Sequence, residues 1–162
     1  MIDTTNGWQF LNIPTPFLDE LKTESILTPY ELTHNGLVRA KANTALNEKI
    51  CDFFELGLDV GFYKTPPGWF YKFHRDNSRN CAFNQLLVDN EPEFINMMIF
   101  GKTPINIPYS TDKLCLINTG MPHNVINQST DKTRILLNIG VNKFRKYSDI
   151  VQHLKRRGLI DS

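Results

Sequence analysis

Two histidines and an aspartate are spaced so that they could share a metal ion. His74 and Asp76 form an H-x-D triplet inside Phe73-His74-Arg75-Asp76, and His123 follows in Pro122-His123-Asn124-Val125 after a long strand-rich stretch. Two neutral imidazoles and one carboxylate suit iron(II), gripping one side of the ion and leaving its other positions open. Open positions are what dioxygen activation requires. An i, i+2 pair at the end of a strand can place both side chains on one side, and a third ligand from a neighbouring strand completes the face. An H-x-D alone carries little weight, because a core histidine is often only a hydrogen-bonded structural residue.

Arg134 adds to it. It follows His123 by eleven positions at the head of an apolar, β-branched run. A guanidinium carried into a core needs a partner, and a carboxylate is a good bidentate one. That partner could be a ligand carboxylate or an acid on a neighbouring strand.

These residues need a scaffold, and the pattern along the chain supplies one. Helices are expected from near Pro16 (Phe17, Leu18 and Leu21 on one face), across Ala45 to Leu56 (Leu46, Ile50, Phe53 and Phe54), and about Tyr147 to Lys155 (Ile150, Val151 and Leu154). Between them lie short aromatic and β-branched runs separated by turn signals such as Pro66-Pro67-Gly68 and Asp89-Asn90. Candidate strands are Val60 to Tyr63, Trp69 to His74, Cys81 to Val88, Phe94 to Phe100, Ile105 to Pro108, Lys113 to Ile117, Asn124 to Asn127 and Arg134 to Val141. The expectation is a mainly β barrel or jelly roll with flanking helices, in one domain spanning 1–162. Its helical N-terminal part covers about 1–57, its β core about 58–142 and its C-terminal helix about 146–157.

Alternation assigns faces. Ile135, Leu137, Ile139 and Val141 share one side of their strand, leaving Arg134, Leu136, Asn138 and Gly140 on a side that could line a cavity. By the same parity Phe70, Lys72 and His74 share a face opposite Trp69, Tyr71 and Phe73.

Composition excludes more than it selects. With 18 basic and 17 acidic residues the net charge is +1, which argues for neither a nucleic acid nor an anionic membrane as partner. The Lys155-Arg156-Arg157 run reads as a solvated helix end. Cys51, Cys81 and Cys115 are odd in number and widely spaced, against a disulfide framework or a thiolate zinc site, and they imply a reducing, cytoplasmic setting. No segment approaches the roughly 18 apolar residues of a membrane span, and no leader pattern opens the chain.

The order H-x-D, distal His, then Arg about ten positions on resembles the 2-oxoglutarate- and iron(II)-dependent oxygenase superfamily over roughly Tyr63 to Val141, about half the chain. The segments from His74 to Asn84, Leu116 to Thr119 and His123 to Asn127 are similar to short members related to the prolyl and aspartyl/asparaginyl hydroxylases. The resemblance implies a double-stranded β-helix (jelly-roll, cupin-like) fold and iron(II) on His74, Asp76 and His123. It also implies Arg134 paired with the distal carboxylate of 2-oxoglutarate, dioxygen as co-reactant, and a peptidyl or small-molecule substrate hydroxylated at a C–H bond. One position departs from the pattern: where many members carry a serine two places after the arginine, this chain has Leu136.

Secondary candidates follow. Asn84 and Asn138 could bind the cosubstrate or satisfy neighbouring backbone, and Arg79 could reach a substrate carboxylate or brace its turn. Lys72, on the His74 face by parity, could compete for the anion, although a surface lysine is the simpler reading. Tyr63, Trp69, Tyr71 and Phe73 could wall a pocket or belong to the core. His34 and His153 are treated as bystanders. Two rival functions stay open: a cupin-type metalloprotein that does not use 2-oxoglutarate, and a non-catalytic β-sandwich binding protein.

Overall fold

The computed structural model describes residues 1–33 and 36–162, so His34 lies outside the described residues. In chain order the elements are β1 (Trp8–Phe10), α1 (Leu18–Leu27), β2 (Glu31–Leu32), β3 (Val38–Lys41), α2 (Thr44–Phe54), β4 (Leu58–Thr65), β5 (Phe70–His74) and β6 (Cys81–Leu86). They continue with β7 (Phe94–Ile95), β8 (Met97–Phe100), β9 (Thr103–Asn106), β10 (Cys115–Asn118), β11 (His123–Asn127), β12 (Arg134–Val141) and α3 (Tyr147–Arg156). The strands make two antiparallel sheets facing each other as a jelly roll. The larger runs β1-β10-β6-β12-β4-β3-β2, and the smaller β5-β11-β8-β9, with β7 also paired to β11.

Strand alternation explains how the larger sheet serves two environments. On β12, Leu137, Ile139 and Val141 join Val60 and Phe62 of β4 in a core shared with Leu46, Ile50 and Phe54 of α2 and with Ile150, Val151 and Leu154 of α3. Each such buried side chain contributes on the order of 1.5–3 kcal/mol relative to exposure. The opposite parity, Arg134, Leu136, Asn138 and Gly140 on β12 and Asp59, Gly61, Tyr63 and Thr65 on β4, faces a cavity between the sheets.

The helices hold that platform. α2 starts at Asn43, whose side chain accepts a hydrogen bond from the Leu46 N–H at 2.8 Å, and its buried residues recur every fourth position. α3 ends in His153, Lys155 and Arg156, the charge sign its C-terminal dipole favours. His153 Nε2 donates to the Phe54 carbonyl at 2.8 Å, tying α3 to α2.

Three differences from the sequence expectation stand out. The first 57 residues are not purely helical, because they hold β1, β2 and β3. Those strands have three, two and four residues, too short for alternation to show. The stretch expected as one strand from Phe94 to Phe100 is broken at Asn96, whose N–H turns aside to Asn106 Oδ1. Finally, β4 runs to Thr65, beyond the expected end at Tyr63. All three cysteines are free thiols. Among the described residues no helix is long and apolar enough to cross a membrane.

Candidate metal centre and its cavity

His74 ends β5, Asp76 follows it, and His123 opens β11, the strand paired with β5. His74 and His123 are direct cross-strand partners, but the register then slips: Tyr71, not Lys72, stands opposite Val125. One additional residue on β5 makes a bulge, which reverses parity along the strand. The assignment of Lys72 to the His74 face is therefore corrected. Tyr71 shares that face, with its ring edge-on to the His74 imidazole at 4.1 Å. Lys72 points away and is exposed.

The ligand atoms of His74, Asp76 and His123 lie within 4.8 Å of one another. Both Nε2 atoms approach one carboxylate oxygen, Asp76 Oδ1, at 3.5 Å from His74 and 3.4 Å from His123. Each Nδ1 is 2.8 Å from a backbone carbonyl, of Lys72 and of Met121 respectively. A carbonyl only accepts, so each Nδ1 carries a hydrogen and each neutral ring presents an Nε2 lone pair. Three acceptors then converge on one point, an arrangement stable only around a proton or a metal cation. The donor set fits a divalent ion bound on one face.

The loop carrying Asp76 is fixed from both ends. Its N–H donates to the Thr119 carbonyl at 3.0 Å, while the Thr119 hydroxyl donates to the Arg79 carbonyl at 3.1 Å. Arg79 Nε donates to Asp76 Oδ2 at 2.8 Å, orienting the carboxylate so that Oδ1 faces the imidazoles. Burial pushes the Asp76 carboxyl up. The His123 and His74 side chains beside it, together with the charge and N–H of Arg79, outweigh that and hold it well below the usual carboxylate range.

Arg134 is 1% exposed. Nη2 donates to Asn96 Oδ1 at 2.5 Å, the guanidinium carbon sits 5.9 Å from the Tyr109 ring centre, and Nε has no partner among the described residues. Among the described residues no carboxylate pairs with it. Burial lowers its pKa to about 10. Of the two partners open to it in the sequence, an acid on a neighbouring strand is absent among the described residues.

The triad and Arg134 line one cavity of about 820 Å³. Asn84 and Asn138 line it too, yet each is engaged by protein: Asn138 Nδ2 donates to Asn84 Oδ1 at 2.6 Å, and Asn84 Nδ2 to the Tyr109 hydroxyl at 2.8 Å. Arg79 reaches Asn138 Oδ1 through Nη1 at 2.6 Å, so its side chain joins Asp76 to the asparagine pair. Tyr63, Trp69 and Tyr71 wall the cavity, the last two stacked at 6.0 Å, whereas Phe73 lies outside it. Sequence reasoning missed Thr65, Asn96 and Tyr109. Thr65 continues the Asp59, Gly61, Tyr63 parity, a signal available had the strand been extended by two residues. Asn96 and Tyr109 lie outside regular strands and gave none.

No protein-family model and no curated protein matches the chain. Solved structures do. A prolyl hydroxylase from Trichoplax adhaerens, in complex with a hypoxia inducible factor oxygen degradation domain peptide fragment, aligns with TM-score 0.66 at 13% identity over 90% of this chain and 87% of that one. A Pseudomonas putida prolyl-4-hydroxylase aligns with TM-score 0.61 at 16% identity over 86% and 94%. HygX from Streptomyces hygroscopicus, with nickel, 2-oxoglutarate and hygromycin B bound, aligns with TM-score 0.54 at 10% identity over 88% and 86%. The chain has the double-stranded β-helix fold of 2-oxoglutarate–iron(II) oxygenase structures.

Proposed function

We propose that this chain is an iron(II)- and 2-oxoglutarate-dependent dioxygenase that hydroxylates a C–H bond. His74, Asp76 and His123 hold the metal, and Arg134 pairs with the far carboxylate of 2-oxoglutarate. With that set bound, R–H, dioxygen and 2-oxoglutarate would give R–OH, succinate and carbon dioxide, one oxygen atom passing to succinate and the other to the hydroxyl. The observation that carries the reading is Arg134, a fully buried guanidinium that has no carboxylate partner among the described residues and lies in the cavity that holds the three ligand side chains.

The protein's part is positional. Arg79 aims one Asp76 oxygen at the metal position, and the Lys72 and Met121 carbonyls set the imidazole tautomers. Partial burial, with side-chain exposures of 22% for His74, 15% for Asp76 and 10% for His123, leaves a route in for substrate. The volume of about 820 Å³ leaves room beyond a five-carbon acid. The peptide and the hygromycin B bound by two of the structural neighbours bracket the target class. A peptidyl prolyl, aspartyl or asparaginyl side chain is the preferred target and a free small molecule the other. Residues 1–162 act as one domain in this proposal, and the free thiols suit a cytoplasmic setting.

Anaerobic iron(II) titration with and without 2-oxoglutarate tests this. A metal-to-ligand charge-transfer band is expected in the wild type, none in His74→Ala, and strongly weakened 2-oxoglutarate binding in Arg134→Ala. Metal binding without any response to 2-oxoglutarate would instead favour a cupin-type metalloprotein.

A further inference from the structure

Four cations stand at the mouth of the cavity without a carboxylate. Alternation on β3 puts Arg39 and Lys41 on the side that continues the cavity face of β4, opposite Tyr63 and Gly61, while Ala40 between them packs into the core. Arg75 lies between His74 and Asp76 on the loop after β5. Lys143 lies on the loop after β12, held there by its carbonyl, which accepts from Asn80 Nδ2 at 2.7 Å. All four side chains are exposed and line the cavity. Among the described residues none of them forms an ion pair. The acids nearby are few: Glu31 stands opposite Arg39 across the β2–β3 pair without closing on it, and Asp59 is the one described carboxylate of the cavity wall besides Asp76.

Like charges gathered around one opening repel each other, and an anionic ligand relieves that repulsion. These four come from three separate elements, more positions than one small dianion inside the cavity can cover. The backbone beside them says what form the larger anion takes. β5 is an edge strand, paired only with β11, so its other edge offers main-chain donors and acceptors to an extended polypeptide. A nucleic-acid strand has no matching ladder, and one that tracks a phosphate backbone calls for more cations than four on a chain of net charge +1. Apolar surface at the same opening completes the match: Trp69 and Tyr71 are stacked on the β5 side, and Phe144, next to Lys143, is 80% exposed. The ligand side chains of the metal site are recessed, so one side chain of a bound segment reaches inward while its neighbours stay at the mouth.

We propose that the substrate is an acidic polypeptide segment laid along the free edge of β5, with carboxylates on either side of the hydroxylated residue paired to Arg39, Lys41, Arg75 and Lys143. This rests on the reading of the chain as a hydroxylase with a peptidyl target.

The experiment uses the full chain, loaded anaerobically with iron(II) and saturating 2-oxoglutarate so that the inner anion site is filled. Fluorescence anisotropy follows a labelled peptide with a central proline flanked by glutamates, its counterpart with glutamines, and octathymidylate. The glutamate peptide is expected to bind roughly tenfold or more tightly than the glutamine peptide, with an affinity that falls as salt rises. Arg39→Gln, Lys41→Gln, Arg75→Gln and Lys143→Gln should each weaken it by about two- to fivefold, the scale of an exposed charge pair, and together by tenfold or more, whereas Arg75→Lys keeps it. The metal-to-ligand charge-transfer band is read on every variant, so a loss with the band intact belongs to the mouth and not to the fold. Equal affinity for the two peptides would overturn the proposal, as would wild-type affinity in the variant lacking all four charges. Octathymidylate binding more tightly than the glutamate peptide, and lost in the same variants, would assign the mouth to nucleic acid and overturn it too. A wild type with no charge-transfer band that still bound the glutamate peptide would remove the 2-oxoglutarate reading and leave the acidic-peptide surface standing, so the two fail separately.

Discussion

A charged side chain buried without a counter-charge is a cost the folded protein carries until something relieves it. For Arg134 the sign is definite. Burial drops its pKa to about 10 from the ordinary 12.5, so between those values the unfolded chain binds more protons than the folded one. The destabilisation is fully present at neutral pH and fades as pH rises through about 10. Arg134→Met should therefore raise the stability of the ligand-free protein by ~1–3 kcal/mol while losing the thermal shift that 2-oxoglutarate gives the wild type. Chemical denaturation with and without 2-oxoglutarate checks both halves, and a less stable Arg134→Met variant would contradict the argument. Much of the residue-scale picture was readable from spacing, since ligand type and order along the chain do not depend on register. Thr65 and Tyr109 were not, because Thr65 is singled out by a buried hydroxyl with no partner among the described residues and Tyr109 by its place against Arg134, both visible only in three dimensions.

Among the elements, β5 taught most about where sequence reading stops. Its extent was legible from the aromatic run, but strict alternation put Lys72 beside His74, and the bulge against β11 puts Tyr71 there instead. A bulge has no composition signature in Phe70-Tyr71-Lys72-Phe73-His74; it is a property of the pair. β12 and α2 were readable because they are long enough for their periods to repeat, eight and eleven residues respectively. β2, with two residues, is held only by its partner. Two variants separate side chain from backbone on β5. Lys72→Ala should leave metal affinity within about twofold, as for an exposed side chain, because the site uses only that residue's carbonyl. Deleting residue 72 should abolish metal binding by turning His74 to the outer face, while far-ultraviolet circular dichroism stays β-rich. Metal binding retained in the deletion would mean that the slip in register does not set the ligand geometry.

Across the whole molecule, a net charge of +1 conceals a strong segregation. Six of the 18 basic residues, Arg39, Lys41, Arg75, Arg79, Arg134 and Lys143, line the cavity, against Asp59 and Asp76 of the 17 acidic ones. Composition could not show this, because it averages over a surface whose two sheets open one basic mouth. A low-dielectric cleft lined by one sign of charge draws in ligands of the other, and salt screens that attraction. The association rate of 2-oxoglutarate should fall several-fold from low salt to a few hundred millimolar, with the dissociation rate nearly constant. Stopped-flow fluorescence would measure both, and a salt-independent association rate would remove the steering argument.

Gly140 leaves a different mark. A β-carbon there would stand 3.0 Å from Arg79 Nη1, the atom that holds Asn138. The missing methyl is thus the clearance in which the guanidinium lies flat between the carboxylate and the amides. A substitution at this one position, touching no ligand atom, would act like a set-screw on how rigidly the ion is held. Laboratory selection for a looser or tighter grip has an obvious place to begin.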